Sequence, residues 1–215
     1  MSRIIIVDDH PLFRAALRQT LAGVNVEEAG DFKSASTALE ADRDCDLVLL
    51  DLNMPGAHGL SGLLLLRAQY PEIPVMIVSA IEDPKIIRRS FELGAAGYLP
   101  KSAGPAEIRA AVDTVLKGEV VVPAGVSLTA DDEQTAFSRR LATLTPQQIR
   151  VLMMLSDGLM NKQIAYELSI SEATVKAHVS SILQKLDVDS RTQAVIAASR
   201  IEQGQFEALL GSATG

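Results

Sequence analysis

The chain has 215 residues, of which 47% are hydrophobic, 22% charged and 4% aromatic, with no Trp and a single cysteine, Cys45. That length makes one large domain or two small ones at roughly 100–150 residues each, and the apolar content excludes disorder over the whole chain. One cysteine excludes an internal disulfide and fits a reducing compartment.

The run IIIV before Asp8 and Asp9 is too short for a signal peptide, and no apolar run approaches the roughly 18 residues a membrane span needs. A cytoplasmic protein with no membrane partner is expected. The net charge of −7 is uneven: −5 over residues 1–120, −3 over 121–137 and +1 over 138–215. A polyanionic partner is therefore expected to meet the last part of the chain.

Residues 3–7 (RIIIV) read as a buried strand stopped by Asp8 and Asp9. A helix follows from about Pro11 to Ala22. The alternation then repeats, with strands at about 24–29, 46–50, 73–79 and 96–99. Helices are expected at about 32–41, 59–69, 84–94 and 105–117. Pro84 and Pro105 stand at first helical positions, and Gly94 at a helix stop. Strands this apolar, alternating with helices, predict an α/β domain whose parallel sheet is covered on both faces. The period is lost over 119–142, which carries Pro123, Gly125 and the acidic run Asp131, Asp132 and Glu133. That stretch reads as a linker with a short helix from about Gln134 to Leu141 inside it. From Thr145 the pattern is purely helical. Thr145 and Gln148 form a capping box around Pro146, Asn161 is expected to cap a helix over 162–168, and Ser171 one over 172–186. A last helix is expected from about Arg191 to Gln203. The division is thus 1–120, a linker over 121–142, and 143–215.

Chemistry-bearing residues stand at the carboxyl ends of the strands: Asp8 and Asp9 after the first, Asp51 after the third, Ser79 at the fourth and Lys101 after the fifth. In an open sheet of strand order 2-1-3-4-5, ligands bind at this edge where the order reverses, between the first and third strands. Three carboxylates in one crevice repel unless a cation or protons neutralise them. Oxygen ligands suit Mg²⁺, a lysine holds a phosphoryl oxygen, and a serine donates a hydroxyl. This is equipment for phosphoryl transfer to a carboxylate. Taken singly, each residue also fits a turn, a cap or a solvated charge; the joint placement favours function. A flavodoxin-like redox domain fits less well, because Asp8-Asp9-His10-Pro11 would repel a bound phosphate in the absence of a metal.

With IIIVDDH, LVLLDLNMPG, VMIVSA and GYLPKS in place, residues 1–118 resemble a response-regulator receiver domain. The resemblance implies a flavodoxin-like doubly wound five-stranded sheet. It makes Asp51 the phosphoacceptor, places Mg²⁺ on Asp8, Asp9, Asp51 and the backbone carbonyl of Asn53, and assigns Lys101 to the phosphoryl group. Ser79 becomes the switch hydroxyl and Tyr98 the switch aromatic. In many receivers a proline follows the lysine; here Ser102 follows and Pro100 precedes.

In the helical part, Ser169-Ile170 joins a short helix to a longer one, as in a helix-turn-helix. Val175, Val179, Ile182 and Leu186 form an apolar stripe, opposite Ala173, Lys176, Ala177, Ser180 and Gln184. Short side chains let a helix approach base edges, but a charge of +1 is a weak electrostatic footprint, and composition alone would equally suit a solvated face. The segments LTPQQIRVL, DGLMNKQIA and ISEATVKAHVSSILQKLDVDSRTQA make residues 143–199 resemble a LuxR-type helix-turn-helix, and the chain as a whole a NarL/FixJ-type response regulator. That implies base contacts by Lys176, Ala177 and Ser180, phosphate contacts by Thr174 and Lys185, and a dimer through the last helix with Ala194, Ala197, Ala198 and Ile201. Two departures stand out: Gln148 replaces an acid that pairs with the arginine matched by Arg191, and Asp187 replaces a glycine. The partners implied are a sensor histidine kinase or phosphotransfer protein, double-stranded DNA, RNA polymerase, and a second copy of the chain when phosphorylated or DNA-bound. The protein would be no enzyme beyond its own modification at Asp51. An adaptor whose helical part binds protein rather than DNA is the alternative. The linker is long enough for the acidic receiver to lie against the DNA-binding face.

Overall fold

The computed structural model describes residues 2–54, 57–128, 133–196 and 198–199. Its elements run β1 (Arg3–Val7), α1 (Pro11–Thr20), β2 (Asn25–Ala29), α2 (Phe32–Ala41), β3 (Leu47–Leu50), β4 (Asn53–Met54), β5 (Ala57–His58), α3 (Ser61–Gln69), β6 (Val75–Ser79), α4 (Pro84–Glu92), β7 (Gly97–Pro100) and α5 (Pro105–Leu116). After these come α6 (Glu133–Leu141), α7 (Pro146–Ser156), α8 (Asn161–Glu167) and α9 (Glu172–Leu186). Residues 191–196 and 198–199 are also helical.

The sheet has the order β2-β1-β3-β6-β7, all parallel. The parallel strands are those expected from the alternation, and the doubly wound, flavodoxin-like order is the one the resemblance implies. Two-residue periodicity divides its core. Ile4, Ile6, Leu47, Leu49, Met76 and Val78 face Leu17 and Leu21 of the α1 side and Ile108, Val112 and Val115 of α5. Ile5, Val7, Val48, Leu50, Val75 and Ile77 face α2, α3 and α4 on the other side. Prolines open α1, α4 and α5, where a missing N–H costs nothing. Gly94, at φ +91°, ends α4 in the left-handed region.

β4 and β5, paired antiparallel with Asn53 opposite His58, form a short hairpin after β3 that strand patterning did not reveal. The chain leaving α5 also does more than connect. Val121 makes a parallel bridge to Gly97, extending the sheet beyond β7. In the helical part α7, α8 and α6 all pack on α9. Ile149, Leu152, Ile164, Val175, Ile182 and Leu186 are buried together there. Helices α3 and α4 of the α/β part pack on α7 and α6 respectively, so one apolar cluster runs through both parts. Among the described residues, no helix is long and apolar enough to cross a membrane.

Candidate functional site

The parallel register brings the carboxyl ends of β1 and β3 side by side, Val7 opposite Leu50. Asp8 and Asp51 follow directly and are both buried. The ligand atoms of Asp8, Asp9, His10 and Asp51 lie within 4.8 Å of one another. Lys101, one residue past β7, is fixed by its backbone N–H donating to Ser79 O at 2.8 Å. Its Nζ lies 2.7 Å from Asp8 Oδ2 and 2.9 Å from Asp51 Oδ2, and 4.8 Å from the centre of the Phe13 ring. The cavity over these groups has a volume of about 500 Å³ and is lined by His10, Leu12, Phe13, Ala16, Asp51, Asn53, Ala80 and Lys101.

Burial pushes the Asp51 carboxyl above the ordinary aspartate range, although Lys101 and the Asn53 N–H pull it back. For Lys101 the balance is reversed: burial lowers its pKa, but the contacts with Asp8 and Asp51 more than offset this, and the net shift is upward. A single ammonium thus serves two carboxylates. Asp51 Oδ1 is buried without a hydrogen-bond partner. A buried anionic oxygen in that condition is costly, and a hard cation held by oxygens relieves it. The donor set fits Mg²⁺.

Ser79 is fully buried at the end of β6. Its Oγ accepts from Ile81 N–H at 3.3 Å, and Tyr98 Oη donates to Ile81 O at 2.6 Å. The two residues expected to act as a switch are therefore joined through one residue of the β6–α4 connection. Tyr98 points inward and is 1% exposed; burial raises its hydroxyl pKa strongly.

Two residues that touch the acidic loop, His10 and Arg14, carry no mark in the sequence pattern. His10 Nδ1 lies 2.6 Å from Asp9 Oδ1, and the backbone N–H of His10 donates to Asp8 Oδ1 at 2.8 Å. Arg14 Nη1 donates to the backbone carbonyl of Asp8 at 2.6 Å. No periodicity marks these contacts; they arise because α1 starts directly over the acidic loop.

In the helical part, Ser171 caps α9, accepting from Thr174 N–H at 3.0 Å. Ser169 adopts φ +53°, which turns the chain sharply between α8 and α9. Thr174, Lys176, Ala177, Ser180 and Gln184 are exposed along α9, with Lys176 near Glu172 at 3.5 Å. The α/β domain packs on α7 and α6 through α3 and α4, and these residues of α9 stay exposed. Lys185 is turned inward: its Nζ donates to Thr143 O at 2.8 Å and Gln148 Oε1 at 2.9 Å. Asn161 does not cap α8, whose N-cap is Met160. Its Oδ1 instead accepts from Arg191 at 3.1 Å, giving that arginine a neutral partner where Gln148 offers no charge. Asp187 takes φ +56° at the end of α9 and pairs with Arg140 at 3.0 Å. Ala194 and Ala198 are fully buried in the chain's own core. Those two members of the expected dimer stripe thus pack internally, while Ala197 and Ile201 lie outside the described residues.

Comparison with known proteins agrees with both halves of this description. Residues 4–113 match the response regulator receiver domain, and residues 142–198 match the bacterial regulatory proteins of the luxR family. The glycerol metabolism activator of Pseudomonas putida is 42% identical over 214 residues, covering 94% of this chain and 97% of that protein. The nitrate/nitrite response regulator protein NarP of Escherichia coli (strain K12) is 38% identical over 200 residues, covering 90% of this chain and 93% of that protein. Among solved structures, a complex of the two-component response regulator RcsB with DNA is similar with a TM-score of 0.56 and 25% identity. It covers 92% of this chain and 98% of that one.

Proposed function

The chain belongs to the two-component response regulators that join a receiver domain to a LuxR-type DNA-binding domain, and from that premise we propose that phosphorylation of Asp51 controls DNA binding by the α9 face. It is a DNA-binding regulator of transcription and not an enzyme with an external substrate. The family assignment favours it over an adaptor that binds protein alone.

The observation that carries the reading is the buried Asp51 carboxylate, with Oδ2 on Lys101 and Oδ1 unpartnered. Asp8, Asp9, Asp51 and the backbone carbonyl of Asn53 would hold Mg²⁺, which when bound supplies positive charge against the phosphoryl oxygens. An Asp51 oxygen attacks the phosphorus of a phosphohistidine on a sensor kinase or phosphotransfer protein. The new P–O bond forms as the P–N bond breaks, and the departing imidazole nitrogen keeps the electron pair. Lys101 already touches the acceptor oxygen and has further N–H donors for the incoming group. Ser79 and Tyr98, coupled through Ile81, are placed to report the change to α4, which packs on α6.

The target is double-stranded DNA, read by Lys176, Ala177 and Ser180 with Thr174 and Lys185 near the phosphates. Lys185 would have to give up one internal contact or use its remaining N–H. A helical part of charge +1 gains little from one copy, so a homodimer on a two-fold site, acting with RNA polymerase in the cytoplasm, completes the reading. The division at 1–120, 121–142 and 143–215 serves it. Mass spectrometry after incubation with a small phosphodonor and Mg²⁺ tests the core of the reading: one phosphoryl group mapped to Asp51 is expected, and modification at any other residue overturns it.

A further inference from the structure

Asp8 lies one residue past the last rung of the β1–β2 ladder, Val7 opposite Ala29. Its N–H still donates to Ala29 O at 3.1 Å, but its carbonyl has left the sheet. Arg14, one turn into α1, supplies the donor: Nη1 reaches Asp8 O at 2.6 Å. The same guanidinium donates through Nε to Glu28 Oε2 at 3.3 Å, on the neighbouring strand β2. The guanidinium lies over Gly30, where an added Cβ would stand 3.5 Å from Nη1. Arg14 is only 18% exposed. These contacts fix the peptide between Asp8 and Asp9, whose plane sets where the Asp9 side chain points.

We propose that Arg14 is a positioning residue for the divalent-cation site, holding the Asp8–Asp9 peptide so that both carboxylates converge, with Glu28 holding Arg14 in turn. The inference rests on the reading of the acidic cavity as a Mg²⁺ site. Electrostatics alone argues the opposite way. A guanidinium beside a cation site repels the incoming ion, and Glu28 offsets that repulsion only in part. The sign of the effect of removing Arg14 therefore separates the two roles: a positioning role weakens Mg²⁺ binding, and a purely electrostatic role tightens it.

The test is calorimetric titration of the full chain with Mg²⁺, unphosphorylated, alongside thermal unfolding. Arg14→Ala should weaken Mg²⁺ by about 10-fold or more, the scale seen when groups that orient metal ligands are removed. Arg14→Met keeps the aliphatic stem and should behave alike even if the alanine variant folds poorly. Glu28→Gln should lose less, and should add nothing on top of Arg14→Ala. Phosphorylation by a small donor should return to the wild-type rate once Mg²⁺ is raised to saturation. A residue that merely ties α1 to β2 would lower the melting temperature and leave Mg²⁺ affinity unchanged. Unchanged or tighter Mg²⁺ binding in a folded Arg14 variant overturns the proposal, while a wild-type protein that binds no Mg²⁺ overturns the metal reading and the proposal with it.

Discussion

The backbone N–H of Tyr98 donates to the carbonyl of Val121 at 3.0 Å, while the N–H of Val121 donates to Ala96 O at 3.2 Å. The chain that leaves the receiver is thus hydrogen-bonded, as a further edge segment, to the strand that carries the inward-facing tyrosine and leads to Lys101. A shift of β7 would have to break these bonds or carry the connection to the DNA-binding part with it.

Val121→Pro removes the N–H and the bond to Ala96. A net loss of about 1 kcal/mol is expected, seen as a fall in Tm of roughly 2–4 °C. Hydrogen exchange at the Tyr98 amide should accelerate, because its acceptor is no longer held in register. An unchanged protection factor at Tyr98 would mean that the edge pairing does not persist in solution.

Asp51→Asn tests both chemistry and stability. The amide is a poor nucleophile, so modification should cease. The folded pKa of Asp51 is raised, with burial the main cause. The stability linked to its protonation is therefore fully present below the unfolded pKa of about 3.9 and is lost as pH rises through the folded value. At pH 7 the wild type carries a buried carboxylate that the variant lacks, and Lys101 retains Asp8. Without Mg²⁺ the variant should melt roughly 2–4 °C higher at pH 7, with the gain shrinking toward pH 4. Equal melting at both pH values would show that Asp51 is solvated well enough to ionise freely.

Much of this site was legible because strand ends are legible. β-branched runs stopped by Asp8-Asp9, Asp51 and Lys101 locate the carboxyl edge of the sheet, and parallel topology does the rest. What escaped depends on contacts between residues far apart in the chain. Nothing local distinguishes Arg14 from an exposed helical arginine until Gly30 and Glu28 are beside it. Asn161 looked like a cap because its type suits one, but Arg191 claims its side-chain oxygen. Ala194 and Ala198 looked like an interface because small residues at helical spacing serve two purposes, an internal close approach or an external one. The structure uses these two internally.

Lys176 carries the specific DNA prediction. It is exposed on α9 with only a loose pair to Glu172 at 3.5 Å, so releasing it for a base costs little. Lys176→Ala should lose about 1–3 kcal/mol at a specific site if it reads a base edge. If it touches phosphate alone, the loss should be uniform over sequences, and the log–log salt slope should fall by about 0.9. Binding titrations at several salt concentrations, on specific and scrambled duplexes, distinguish the two. Identical affinity to wild type on both would place the DNA surface elsewhere.

The last prediction concerns how the two parts hold together. Leu63, Leu64, Leu65 and Leu66 are all buried in α3. Four successive residues sweep about 300° around a helix at 3.6 residues per turn, more than one sheet face can cover. Leu63, Leu66 and Tyr70 fall on one stripe by spacing, whereas Leu65 faces away from it. Burial of that far side accompanies the packing of α3 on α7. The two kinds of leucine should therefore respond differently. Leu63→Ala should cost about 2–5 kcal/mol by leaving a cavity in the receiver core. Leu65→Asp should leave the receiver folded but separate the domains, because a carboxylate without a partner is not tolerated in an apolar contact. Small-angle scattering should then show a larger radius of gyration. Since Lys176, Ala177 and Ser180 are already exposed with the domains packed, half-site DNA affinity should not change in Leu65→Asp. A large gain would mean that the receiver shields α9 in solution, and an unchanged scattering profile would mean that α7 is not what covers Leu65.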